Sequence, residues 1–225
     1  MISFNIKIIC LFIIIGALIY SNTLNVPFYF DDEHNIQNPA MFMDAFTIDK
    51  VLEAGSKGTL KSRPISNISF AANYLIGGLH VTGYHVVNII IHIAGAIFLF
   101  LLLQITLALP VNRIKYSQPA LLAFFAALIW LVHPLATQSV TYIVQRMNSM
   151  AAMFFVLSLL LYAKGRIIQM QGNRQQKTNM YWLWFSGSIV SGLLAIGSKE
   201  IAATLPLIIV LYEWYFFQDL SWSWL

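Results

Sequence analysis

The sequence predicts an all-α membrane protein of about six transmembrane helices, a single polytopic membrane domain over residues 1–225 with a long first loop at about 25–83. Three observations carry that prediction. Hydrophobic residues make up 59% of the chain and charged residues 10%, a balance that cannot cover a water-facing surface. The apolar residues come in unbroken runs, such as 8–19 and 89–103, which excludes the alternating strands of a porin-like barrel. A mean hydropathy of +0.72, with 16 Phe, 10 Tyr and 6 Trp, fits several helices that each need about 20 apolar residues to cross lipid.

The first span, 6–24, has its apolar run just after Lys7 as a signal peptide would, but Tyr20, Ser21 and Asn22 do not form a small-residue cleavage site, and the run is long enough to span. It is read as an uncleaved helix, with Cys10 as a small packing residue inside it. In the first loop, Phe42, Phe46, Val51 and Leu52 suit a short surface helix ending near Gly55. Ile65, Ile68, Ala72 and Leu75 suit a second, ending near Gly77 and Gly78. Both are expected along the membrane surface. The glycosylation-type triplet Asn67-Ile-Ser69 falls inside that second helix and is read as a chance match. The remaining spans are 84–109, 119–135, 148–163, 181–197 and 201–217, with a short polar stretch, 136–147, between the third and fourth.

Basic residues orient these spans. Loops 110–118 and 164–180 carry Arg113, Lys115, Lys164, Arg166, Arg174 and Lys177, whereas the opposite short connections carry Arg146 and Lys199. Short cytoplasmic loops are the ones enriched in Lys and Arg, so both termini are expected in the cytoplasm and the first loop outside it. The net charge of +4 and pI near 9.2 therefore report membrane topology, and no nucleic-acid partner is expected. Of nine carboxylates, seven (Asp31, Asp32, Glu33, Asp44, Asp49, Glu53 and Glu200) fall on the outer side, with Arg63, His80, His85, His133, Arg146 and Lys199. Ionisable groups at membrane helix ends are costly unless paired or facing water, so their convergence on one face marks a candidate site.

Five short stretches carry that chemistry. Asp31-Asp32-Glu33-His34 crowds three carboxylates just after the first span, either a base or ligand set or a solvated turn ended by Asn38-Pro39. Ser62-Arg63-Pro64 holds an arginine in extended backbone, where its fork suits a phosphate or a lipid headgroup. His85, Asn88 and His92 lie on one stripe of the second span, as site residues or as interhelical glue, and His133-Pro134 ends the third. Gln145-Arg146 precedes the fourth span. In Ser198-Lys199-Glu200, the serine and the carboxylate suit the start of the last helix, but a lysine there is explained better by a bound anion. Gly55-Ser56-Lys57-Gly58 lacks the spacing of a phosphate-binding P-loop, and neither a zinc-protease motif nor a hydrolase elbow is present. No repeat of 20 to 50 residues is visible.

In order and position, Phe28-Tyr-Phe-Asp-Asp32, Ser62-Arg-Pro-Ile65, Tyr74-Leu-Ile-Gly-Gly78, Gly83-Tyr-His-Val-Val-Asn88 with His92, His133-Pro134, Gln145-Arg146 and Ser198-Lys-Glu200 resemble one family. It comprises the GT-C type polytopic glycosyltransferases that carry tetratricopeptide repeats behind the membrane part, the O-mannosyltransferase-like proteins. The resemblance runs from about residue 26 to residue 213 and covers only the amino-terminal membrane part. It implies a GT-C-like fold and transfer of a sugar from a polyprenyl or dolichyl phosphate carrier to a hydroxyl acceptor. The setting would be a bacterial inner membrane or endoplasmic reticulum membrane, with the site on the periplasmic or lumenal face. It further implies Asp32 as catalytic base with Asp31 beside it, and Arg63, His85, Arg146 and Lys199 near the carrier phosphate. Glu33, His133 and Glu200 would support them. No cofactor follows from the sequence, and a divalent metal is left open. Partners implied are membrane lipid, the carrier-linked sugar, a protein or glycan acceptor, and a protein completing the membrane domain. The alternative is a non-catalytic assembly or lipid-binding subunit, which has no chemical need for Asp31 and Asp32.

Overall fold

The computed structural model describes residues 2–57, 61–113, 117–171 and 180–221; Gly58, Lys115, Arg174, Lys177 and residues 222–225 lie outside it. The described residues are helical, without strands, as an all-α membrane protein requires. In chain order the helices are α1 (Ile2–Tyr20), α2 (Asp31–Ile36), α3 (Ile48–Lys57), α4 (Pro64–Gly77), α5 (Val81–Leu107), α6 (Pro110–Arg113), α7 (Pro119–Val132), α8 (Ala136–Thr141), α9 (Arg146–Gln171), α10 (Met180–Ser198) and α11 (Leu205–Phe216). Tight 3₁₀ turns at Ile143–Gln145 and Glu200–Thr204 lead into α9 and α11.

Four segments are long and apolar enough to cross a bilayer: Phe4–Thr23, Val81–Leu107, Ile143–Gln171 and Met180–Ser198. The other two expected spans centre on shorter helices. α7 has 14 residues, started by Pro119 and ended before His133-Pro134, and α11 has 12. Central α5 packs on α1 and α7 to one side and α9 to the other, with α10 beyond α9. Phe12, Phe100, Ala123, Ala127 and Leu131 fill the first seam, and Leu102, Leu159, Leu160, Ala163 and Leu205 the second. α9 and α10 approach closely through small residues: Ser158 and Ser188 hydrogen-bond each other, and a Cβ on Gly165 would sit 2.8 Å from the Phe185 ring. Ile14, Leu18, Ile129, Leu183, Ile189 and Leu193 point outward, a surface suited to hydrocarbon rather than water. Cys10 is also exposed, so it faces outward and is not a packing residue.

The surface helices differ from expectation in register. α3 begins at Ile48, leaving Phe42 and Phe46 ahead of it, and Gly55 lies within it. Phe42 instead stacks on Tyr74 of α4, 4.3 Å between ring centres. α4 ends as expected, with Gly78 at φ 58°, where a side chain would be strained. Asn67 is buried within α4.

Candidate functional site

Polar side chains gather at the bundle end where the first loop meets α4, α5, α9 and α10, and the turn Ile143–Gln145 links them into two groups. On one side stands Arg146, fully buried, with its five N–H donors directed at acceptors on α4 and α5. Its Nε donates to Asn88 Oδ1 (2.7 Å), Nη1 to the Ser69 carbonyl and hydroxyl (3.2 and 3.1 Å), and Nη2 to Asn73 Oδ1 and the Tyr84 carbonyl (both 2.9 Å). Its guanidinium also covers the Phe70 ring at 4.7 Å. Arg146 thereby fixes α4 and α5 around the first residue of α9.

Two residues earlier, the Val144 N–H donates to Asp32 Oδ1 at 2.6 Å, and the Tyr29 N–H reaches Oδ2 at 3.2 Å. Asp32 is 1% exposed, while Asp31 and Glu33 on the same short helix face solvent. Burial pushes the Asp32 carboxyl above the usual carboxylate value, partly opposed by backbone donors from Val144, Tyr29 and Ile143. The Asp31 N–H donates to the Tyr142 hydroxyl (2.9 Å), which brings a tyrosine against the exposed carboxylate. Phe30 precedes α2 at φ 53°, a backbone state that costs a bulky residue about 1–3 kcal/mol.

On the other side of the turn, Arg63 and Lys199 meet around Glu200. Arg63 Nε pairs with Glu200 Oε2 at 3.0 Å, its Nη1 reaches Met147 Sδ at 3.4 Å, and the Ser62 hydroxyl donates to the same carboxylate. The Ser66 hydroxyl ties α4 to the end of α10 through the Ser198 carbonyl, 2.9 Å away. Lys199 is lowered from its ordinary pKa by burial and by the nearby Arg63 charge. Two cations thus lie near one carboxylate that only Arg63 pairs with, and the group carries a net positive charge. The Ser62 hydroxyl, helped by Arg63, holds Glu200 down at about 2. Since its folded pKa lies below its unfolded value of 4.5, the link contributes stability above that pH and loses it as pH falls toward 2. A melting temperature that drops on acidification in the wild type, and drops less in Glu200→Gln, is the expected result.

No family model matches the chain, and no solved structure matches it. Curated proteins do. Over 215 residues it is 28% identical to protein O-mannosyl-transferase TMTC2 of Homo sapiens, covering 92% of this chain and 24% of that protein. Over 169 residues it is 32% identical to protein O-mannosyl-transferase Tmtc3 of Drosophila melanogaster, covering 70% of this chain and 18% of that protein. Protein O-mannosyl-transferase TMTC4 of Homo sapiens is 32% identical over 144 residues, 61% of this chain and 19% of that protein. The chain belongs to the TMTC O-mannosyltransferase-like family. It spans about a quarter of the length of the first relatives it matches.

For a TMTC-like chain, the expected site residues divide clearly. Arg63, Lys199 and Glu200 converge although 136 and 137 positions separate Arg63 from the other two; Arg63 reaches Met147, three residues beyond Val144, which holds Asp32. His85 and Arg146 lie beneath the site: the His85 Nε2–H donates to the Val26 carbonyl at 2.9 Å and moors the first loop, as Arg146 moors α4 and α5. The whole stripe works this way. Asn88 donates to the Val140 and Ile143 carbonyls, and His92 to the carbonyl of Leu131 in the last turn of α7, which ends before His133-Pro134. His133 is exposed and lines a separate cavity of about 300 Å³ with His92, Trp130 and Asn148. Ser198, expected to cap the last helix, turns back to the Leu194 carbonyl within α10. A larger apolar cavity of about 840 Å³, lined by Ile105, Leu109, Met170 and Phe216, lies at the opposite end of the bundle. Among the described residues no three His, Cys, Asp or Glu side chains converge to hold a metal. Tyr142 was not foreseen, because a single tyrosine between helices carries no sequence signal of its own. Asn73 and Ser69 were missed too, although their spacing along α4 puts them on one face.

Proposed function

We propose that this chain forms the membrane part of a glycosyltransferase that moves a sugar from a polyprenyl or dolichyl phosphate carrier to a hydroxyl of a protein acceptor. The reaction takes place on the non-cytoplasmic face of the membrane. One observation carries the reading: a cationic pair short of one counter-ion, Arg63 with Lys199, touches Met147 through Arg63, three residues along from Val144, which holds Asp32 beside the exposed carboxylate Asp31. Transfer from a lipid phosphate needs both. Arg63 and Lys199 hold the carrier phosphate and stabilise the charge it gains as the sugar leaves. A carboxylate takes the proton of the attacking hydroxyl. Asp31 suits that role better than Asp32, whose two oxygens already accept backbone N–H groups in a buried pocket. Asp32 positions its neighbour, and the Tyr142 hydroxyl orients it.

The names of the relatives support a protein acceptor and a sugar donor. The test is binding of a polyprenyl phosphate to the membrane-embedded chain. Arg63→Ala and Lys199→Ala should each weaken it about tenfold or more, because each removes a charge-assisted contact. Unchanged affinity in both variants would reject the site.

A further inference from the structure

Resting on that reading, we propose that Tyr29, Phe30 and Tyr142 form the acceptor subsite, an aromatic platform around Asp31 that takes an extended, hydroxyl-bearing peptide segment of neutral or basic character. The side chains of Tyr29 and Phe30 are 71% and 72% exposed and contribute nothing to the core beneath them. Their ring centres lie 6.2 Å apart, and Tyr142 closes the group 6.5 Å from Tyr29 with its ring edge-on. The Tyr142 hydroxyl is also the acceptor for the Asp31 N–H, so a hydrogen bond ties the platform to the backbone of the candidate base.

The strained backbone at Phe30 gives the strongest argument. Glycine would adopt φ 53° freely, yet the chain places a large aromatic there and turns its ring away from the fold. A strained residue whose ring meets only the equally exposed Tyr29 and adds nothing to the core is explained by a contact outside the fold. Membrane lipid is the poorer occupant. Asp31 and Glu33, both exposed, stand in the next three positions, and seating the rings in hydrocarbon would draw those carboxylates toward it. The same carboxylates set the charge preference: an acidic peptide is repelled, and a neutral or basic one is accepted. Aromatic faces grip the backbone and apolar side chains of a peptide at low entropic cost while the hydroxyl reaches Asp31.

The test is photo-crosslinking of a threonine-bearing, benzophenone-labelled peptide with basic flanks to the membrane-embedded chain, with a glutamate-flanked peptide as control. Wild type should capture the basic peptide in preference to the acidic one, with label at residues 28–31 and 142. Phe30→Gly and Tyr29→Ala should each reduce capture about tenfold. Phe30→Gly relieves the positive φ, so its melting temperature should not fall, and lost capture in that variant cannot be ascribed to misfolding. Capture equal to wild type in both variants would overturn the proposal. So would quenching by brominated lipids of a fluorophore placed at position 30, which would seat these rings in the membrane. Capture needs no carrier and no turnover. Carrier affinity unchanged in Arg63→Ala and Lys199→Ala, with capture behaving as expected, would therefore remove the transferase reading and leave the peptide site; carrier binding weakened there, with capture unchanged in Phe30→Gly and Tyr29→Ala, would remove only the platform.

Discussion

Replacing Arg146 with methionine should lower the stability of the membrane-embedded protein by about 3–5 kcal/mol, the largest effect expected of a single substitution at this end of the bundle. The cause is the acceptors left behind. Asn88 Oδ1, Asn73 Oδ1 and the carbonyls of Ser69 and Tyr84 all face the guanidinium, and most are buried beyond the reach of water. Methionine fills much of the volume and satisfies none of them. Arg146→Lys should recover only part of the loss, since an ammonium offers three donors where five are used and lacks the planar fork that meets two helices at once. Thermal unfolding in detergent or nanodiscs measures both. Because Val144 holds Asp32 from the same turn, protease cutting near residue 30 should rise in Arg146→Met together with the fall in melting temperature. A melting temperature within about a degree of wild type would show that the network is not a structural hub.

Asp31→Asn should cut sugar transfer by about 10²–10⁴-fold and leave polyprenyl phosphate binding unchanged, because it removes the proton acceptor at constant shape. Asp32→Asn should behave differently. An amide offers one acceptor oxygen, whereas Val144 and Tyr29 present two N–H donors, so this variant should lose about 1–3 kcal/mol of stability along with activity. The pH dependence separates them further. Burial raises the Asp32 pKa in the folded state, so its contribution to stability is fully present below the unfolded value and is lost as pH rises through the folded one. Asp32→Asn should abolish that part of the stability profile, and Asp31→Asn should preserve it. Turnover near wild type in folded Asp31→Asn would reject it as the base.

The bundle was legible because hydrocarbon leaves few options: long apolar runs must be helices, and His133-Pro134 or Gly77-Gly78 must interrupt them. That Arg63, Lys199 and Glu200 fall close together was legible because charge near lipid needs compensation, and the Arg63–Glu200 pair supplies part of it. The division of labour within the site was not legible. Nothing in Gln145-Arg146 says that α4 will offer Asn73 and Ser69 to the guanidinium, so an arginine that saturates its donors internally looks in sequence like one waiting for a phosphate. His85 is similar, since its partner is a backbone carbonyl at Val26 that has no residue-specific signature. Asp31 and Asp32 are adjacent and chemically identical; only the rotation of about 100° per residue along α2 sends one inward and the other out.

The central claim is that a carrier-lipid phosphate binds between Arg63 and Lys199, across the Ile143–Gln145 turn from Asp31. A polyprenyl phosphate bearing a photoreactive group beside its phosphate, crosslinked to the membrane-embedded chain and mapped by mass spectrometry, tests it most directly. The account predicts label on residues 62–65 and 198–204, competed by unlabelled carrier and lost in Lys199→Ala. Label confined to the opposite end of the bundle, in the cavity of Ile105, Met170 and Phe216, would contradict it.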